Sequence, residues 1–279
     1  AQGLPTRAHE AWKATPTRRL SRFTTERITK PTPDEAALAA QRVGALGPAG
    51  GHRVVVVNGY LPDAIPNPPT GVEVLTLSAA IERFPEHVEA HLGRIAPMDE
   101  APMVALNGAE MDDALVIVAP RNLVSEEPLE VVHVAVPGAG TSHPRLLVVA
   151  ETSSQLTVIE RFVGVGTDPC LENAVTEVSV GSNATVDHVT VVDTPSHTLH
   201  LGSVAARVSR DGNFRSHVVG LNGEVARTET FVTLDGQGGQ CHLNGLYVGH
   251  GKSILDHYTQ VDHIAERTSA HELLSLIHI

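Results

Sequence analysis

Between residues 151 and 250 the chain repeats one short pattern four times, and that repeat limits the fold more than any other feature. The lines are ETSSQLTVIERFV from Glu151, VGSNATVDHVTVV from Val180, RDGNFRSHVVGL from Arg210 and GQGGQCHLNGLYV from Gly236. Each has a corner of Gly, Asn or Ser, followed by β-branched and apolar residues mixed with polar ones. The corners recur at about 26–30 residues, a range in which a period marks stacked units. A single unit cannot bury its own apolar face, so the units must stack into a continuous core. ALVIVAP, LEVVHVAV and PRLLVVAE, upstream of the repeats, read as further short Val-rich strands. The long period, with corners inside each unit, favours a parallel β-helix over a sandwich, although sandwiches also use closely spaced short strands.

Composition agrees with that packing and excludes several function classes. Aromatics are only 3% of the 279 residues, so the core must be built from Val, Leu, Ile and Ala. Lys and Arg total 20 against 32 for Asp and Glu, a formal charge of −12, which lacks the basic footprint of a nucleic-acid partner. The small cluster Arg18, Arg19 and Arg22 reads as a solvated face. No apolar stretch is long enough for a membrane span, no signal peptide is visible, and the expected location is the cytoplasm. Cys170 and Cys241 are the only cysteines, which is not a disulfide scaffold and fits a reducing compartment.

Residues 1–105 read as an N-terminal helical or mixed α/β region. RAHEAWKA forms a short helix docked through Trp12, and Pro33-Asp34-Glu35 opens a helix that ends near Gly44 or Gly47. HRVVVVNGYL and VEVLTL are strands, LPDAIPNPPTG is irregular, and SAAIERFPEHVEAHLGRI is a broken helix. Residues 106–271 form the β body, with helical periodicity ending at about Met103. The corner glycines Gly181, Gly212, Gly223 and Gly239, with Asn183, Asn213 and Asn222, are expected to supply positive φ. After Ala265 the strand pattern stops, and residues 272–279 read as a non-native tail, with the natural protein continuing further.

The chemical candidates are weak individually. His188, His197, His200, His217, His242, His250, His257 and His263 fall in or beside the β body. His188, His217 and His242 occupy similar places in successive units and suggest a ladder on one face. No HxH or HExxH pattern supports a metal site, so structural or solvated histidines are the preferred reading. Asp256-His257, Asp262-His263, Ser196-His197 and Ser216-His217 are sequence neighbours, which point to opposite faces of a strand and so make poor catalytic pairs. Cys241 reads as a core cysteine and Cys170 as a more exposed loop residue. CxxC and phosphate-binding glycine motifs are absent, and Gly-Ala-Gly at 138–140 and Gly-Val-Gly at 164–166 read as ordinary turns. No catalytic, cofactor-binding or metal residue is assigned.

GLPTRAHEAWKATPTRRL at 3–20 resembles the opening of the SufB/SufD family of iron–sulfur cluster assembly proteins, and its SufD branch most closely. Glu10, Trp12, Lys13 and Thr15 match that opening, while Ala14 replaces a family tyrosine. ALNGAEMDDALVIVAPRNLVSEEPLEVVHV, with Pro120 and Pro128, is similar to the start of the family's β body. From Asp211 onward His217, Arg227, Leu234, Asn244-Gly245, Asp256 and Val261-Asp262-His263 fall in register with it. The resemblance implies a right-handed parallel β-helix between helical regions, and a cytoplasmic, non-enzymatic scaffold working with a SufB-like paralogue and the ATPase SufC. It implies an iron–sulfur cluster held transiently by the full complex and none bound by this fragment. A late family motif resembling DVKCSHGAT, and the helical region that holds SufC, have no counterpart here. A purely structural or binding solenoid is the alternative. A carbohydrate-active β-helix enzyme is disfavoured by one Trp and three Tyr and by the missing hexapeptide period.

Overall fold

The structure, a computed structural model, describes residues 3–6, 9–22, 27–65, 68–136, 138, 140–249 and 251–278. Two 3-10 turns, Glu10–Trp12 and Thr17–Arg22, open the described chain in place of the expected short helix, and Arg7 and Ala8 lie outside the described residues. Helix α1 spans Pro33–Gly44 behind a capping box in which Thr32 and Glu35 satisfy each other's backbone N–H. The broken helix is α2 (Leu77–Arg83) and α3 (Pro85–His91), interrupted where Pro85 removes a donor.

Among the described residues fifteen strands follow the chain, beginning with β1 (His52–Val57), β2 (Glu73–Thr76), β3 (Leu115–Ala119), β4 (Leu129–Ala135) and β5 (Gly140–Ser142). The next are β6 (Arg145–Ala150), β7 (Gln155–Gly164), β8 (Cys170–Val180), β9 (Thr185–Asp193) and β10 (Thr198–Val208). The last are β11 (Asn213–Asn222), β12 (Val225–Leu234), β13 (Gln240–Gly249), β14 (Ile254–His263) and β15 (Ser269–His278). They form a seven-stranded sheet, β1-β4-β7-β9-β11-β13-β15, and an eight-stranded one, in which β14-β12-β10-β8-β6-β3-β2 are joined by β5 paired to β8. Pairing is parallel throughout both paths except between β2 and β3. From β6 onward consecutive strands lie in opposite sheets, and the chain winds as a mainly β parallel solenoid of about six turns. The core lies between the sheets, where Ile117, Val131, Val148, Val158, Val178, Val186, Phe214 and Leu243 are almost completely buried.

From the N-terminal region, β1 and β2 join the two sheets. Three expectations are corrected. Helical structure does not end at Met103: α4 (Pro102–Glu110) starts on a proline suited to a first helical turn and packs on β8. The strand pattern does not stop after Ala265, since β15 pairs with β13 in unbroken register from Ser269 to His278. It escapes notice because Leu273, Leu274, Leu276 and Ile277 are exposed there and give no buried alternation. The positive-φ positions differ too. They fall on Asn122, Ser153, Asn183, Asp211, Gly238 and Arg267, one in each successive corner. The first five each donate a backbone N–H to the next corner, as Asn183 does to Arg210 O at 2.9 Å.

Of the expected positions only Asn183 and Gly223 have positive φ. Gly181 is needed for room: a Cβ there would sit 2.7 Å from Ala150 O and 2.9 Å from Thr152 N, both backbone atoms of the preceding corner. Gly181→Ala is therefore expected to lower stability by about 1–3 kcal/mol through forced separation of two corners. Urea unfolding would measure it, and an unchanged midpoint would contradict this account of the corner.

Candidate functional site

Along β7 the residues facing the core alternate as Leu156, Val158, Glu160 and Phe162, and along β9 as Val186, His188, Thr190 and Val192. This places a carboxylate in a solenoid interior otherwise packed with Val and Leu. Glu160 is 2% exposed and accepts hydrogen bonds from His133 Nε2 at 3.0 Å, His188 Nε2 at 2.8 Å and Thr176 Oγ1 at 2.6 Å. Burial by itself would raise the Glu160 carboxyl. The hydrogen bonds from His133 and His188, with their charge, outweigh that and hold it well below the usual carboxylate range.

A second pair lies alongside, with His200 Nδ1 3.0 Å from Glu172 Oε2. The Phe162 ring separates the two, 4.4 Å from both His133 and His200. A cavity of about 10 Å³ between Glu160, Phe162, Thr190, His200 and Thr228 is near the size of a single water. Together these groups form a buried, hydrogen-bonded polar core that fixes the order of rungs. Neither Ser nor Cys is hydrogen-bonded to these histidines among the described residues, so the cluster lacks an activated nucleophile.

On the outer face of the eight-stranded sheet, Arg227 on β12 captures the N-terminal segment. Its guanidinium lies 4.3 Å from the Trp12 ring centroid. It donates to Ala11 O at 2.7 Å, Thr15 Oγ1 at 3.1 Å, Glu229 Oε1 at 2.7 Å and the Asp256 carboxylate. Burial pushes the Glu229 carboxyl up, against the pull of Arg227. Glu177 plays a related part for α3 and α4, accepting from Gly93 N, Ile95 N, Ala96 N and the Arg145 guanidinium. Asn107 of α4 bridges Pro144 O and Asn173 O.

The expected histidine ladder is not formed by His188, His217 and His242. His188 registers with Ser216 and then Leu243 inside the core, whereas Arg215, His242 and His271 register outside it. His217 stands opposite Asn244. A difference of one residue between corners transfers a side chain to the opposite face. The neighbour pairs split as expected: Ser216 is buried and His217 turns outward, while Asp256 meets Arg227 and His257 turns inward to Thr230 Oγ1 at 3.3 Å. Burial, then the Arg227 charge, lowers the His257 pKa to about 4. His263 contacts Thr268 Oγ1 at 2.7 Å. His250, Ala139 and the Arg22 side chain lie outside the described residues.

Cys241 faces the core, as its alternation predicts, and burial followed by the nearby Glu272 charge pushes its thiol up to about 12. Cys170 is not exposed on a loop. It begins β8, is buried, and burial raises its thiol to about 11. Both are poor thiolates, the form that binds metal or attacks. Among the described residues no three His, Cys, Asp or Glu side chains are grouped to hold a metal ion, and no helix is long and apolar enough to cross a membrane. Glu160 escaped the sequence reading, although an acid in the inward series Leu156, Val158, Glu160, Phe162 is a visible signal.

Comparison with known proteins points one way. The family described as "SUF system FeS cluster assembly, SufBD core domain" matches residues 133–278, and "SufBD protein N-terminal region" matches residues 1–131. A SufBD family protein of Synechocystis is 23% identical over 271 residues, covering 92% of this chain and 59% of its own. The iron–sulfur cluster assembly protein SufD of Escherichia coli is 26% identical over 273 residues, covering 94% and 59%. SufD of Bacillus subtilis is 25% identical over 178 residues, covering 63% and 41%. The matched segment thus spans no more than about three fifths of these relatives' length.

The Glu160 network yields a pH prediction. A carboxyl held below its ordinary value of about 4.5 stabilises the fold above that pH, and the contribution is lost as pH falls toward the folded value. Glu160→Gln is expected to cost about 3–5 kcal/mol at neutral pH, with the gap to the unmodified chain narrowing in acid. Unfolding curves across this range test it, and a gap that does not narrow in acid would refute it.

Proposed function

The chain belongs to the SufBD family of the SUF iron–sulfur cluster assembly system, and from that premise we propose that it is a SufD-like scaffold subunit working with a SufB-like paralogue and a SufC-like ATPase in the cytoplasm. The observation that carries the reading is the tiling of the chain by the two family regions, 1–131 and 133–278, together with SufD relatives along most of its length. The solenoid supports it physically. Its interior is filled by Val, Leu and the His–carboxylate pairs, which suits a rigid platform that holds partners in a fixed relation.

In this reading the protein is not an enzyme, and iron and sulfide are cargo assembled by the complex. The chain holds no resident cluster, because its two thiols are buried and poorly ionised. Anaerobic reconstitution of the chain with iron and sulfide is therefore expected to leave no stable cluster. A stoichiometric chromophore that disappears in Cys241→Ala would overturn that statement. For the scaffold role, co-expression of the full-length gene product with its SufB and SufC counterparts is expected to yield one complex on gel filtration. Elution free of both partners would count decisively against it.

A further inference from the structure

The outward face of the seven-stranded sheet carries a column of register partners, Asp187 on β9, Arg215 on β11, His242 on β13 and His271 on β15. Parallel strands are about 4.8 Å apart, so in-register side chains rise side by side. The imidazoles of His242 and His271 do so, with ring centroids 5.0 Å apart and planes inclined by 20°. Arg215, the one cation in the column, is drawn to the opposite side by Asp187, with Nε 2.6 Å from Oδ1 and Nη2 2.8 Å from Oδ2. His217, in the adjacent row, is engaged with Asn244 Nδ2 at 3.3 Å. No hydrogen bond among the described residues holds either ring of the pair.

We propose that His242 and His271 form a two-histidine surface site for a borderline divalent first-row cation of the zinc class. Imidazole nitrogens bind such ions at about 2.0–2.1 Å, so two ligands to one ion are at most about 4.2 Å apart. Occupancy of the site requires the half-buried ring of His242 and the exposed ring of His271 to turn until one nitrogen of each reaches that spacing. Water completes the coordination, since no third protein ligand is grouped there among the described residues. The formal charge of −12 favours approach of a cation. Cys241, although adjacent in sequence, faces the core and takes no part.

The site stands apart from the scaffold reading and is tested separately. Calorimetric titration of the chain with zinc chloride at neutral pH is expected to show one equivalent whose affinity weakens by about tenfold or more in His242→Ala and in His271→Ala. His87→Ala removes the other stacked histidine pair, His87 and His91 on α3, and is expected to leave that equivalent in place. In the unmodified chain, zinc is expected to shift the ring-proton NMR signals of His242 and His271, a readout independent of any variant's folding. Unshifted signals, or an equivalent that follows His87 instead, would overturn the proposal.

Discussion

The whole structure depends on the parallel, in-register ladder between successive rungs, because from β6 onward consecutive strands lie in opposite sheets and find no partner within their own turn. Every backbone N–H and C=O of a rung must be answered by the rung above or below. That requirement explains why the corners are so strictly built. A corner longer or shorter by one residue would carry the next strand's apolar series to the wrong face. The left-handed residues from Asn122 to Gly238 continue the ladder around the bend, where ordinary strand pairing would fail.

The polar groups of the interior fit this logic. Glu160 takes both imidazoles from adjoining rungs of the same sheet and a hydroxyl from the facing sheet, so one side chain ties together four strands and both walls. A buried carboxylate with only one partner would be a liability. Here the lone pairs are occupied, and slippage of one rung would strand a charge in a dry core. Specificity of stacking is what this arrangement provides.

Much of the fold was legible because alternation and period are local signals. The Val-rich strands, the proline-broken helix at Pro85 and the acidic start at Pro33-Asp34-Glu35 are each written within a few residues. What was not legible is the face on which a particular residue lands from one rung to the next. His188 and His217 look equivalent in the repeat, yet the corner between β9 and β11 places Ser216 opposite His188. Cys170 resembles a loop residue until β8 is seen to begin at that position. Helix α4 was missed because MVALNGAE contains Asn and Gly, and its stability comes from Asn107 bonding to strand backbone. The Glu160 site joins residues from four strands, a relation that no spacing along the chain discloses.

The Arg227 clamp has a consequence for how the molecule is made. Thr15 and Asp256, which meet in that clamp, are 241 positions apart along the chain. During synthesis the segment around Trp12 leaves the ribosome well before the strands that receive it are translated. Each rung can stack as it emerges, but this segment must wait, with its tryptophan unprotected, until β12 and β14 exist. Rungs that stack first and are closed later by a stretch synthesised long before them are therefore the natural order, and the interval before closure is when the nascent protein is most exposed to aggregation.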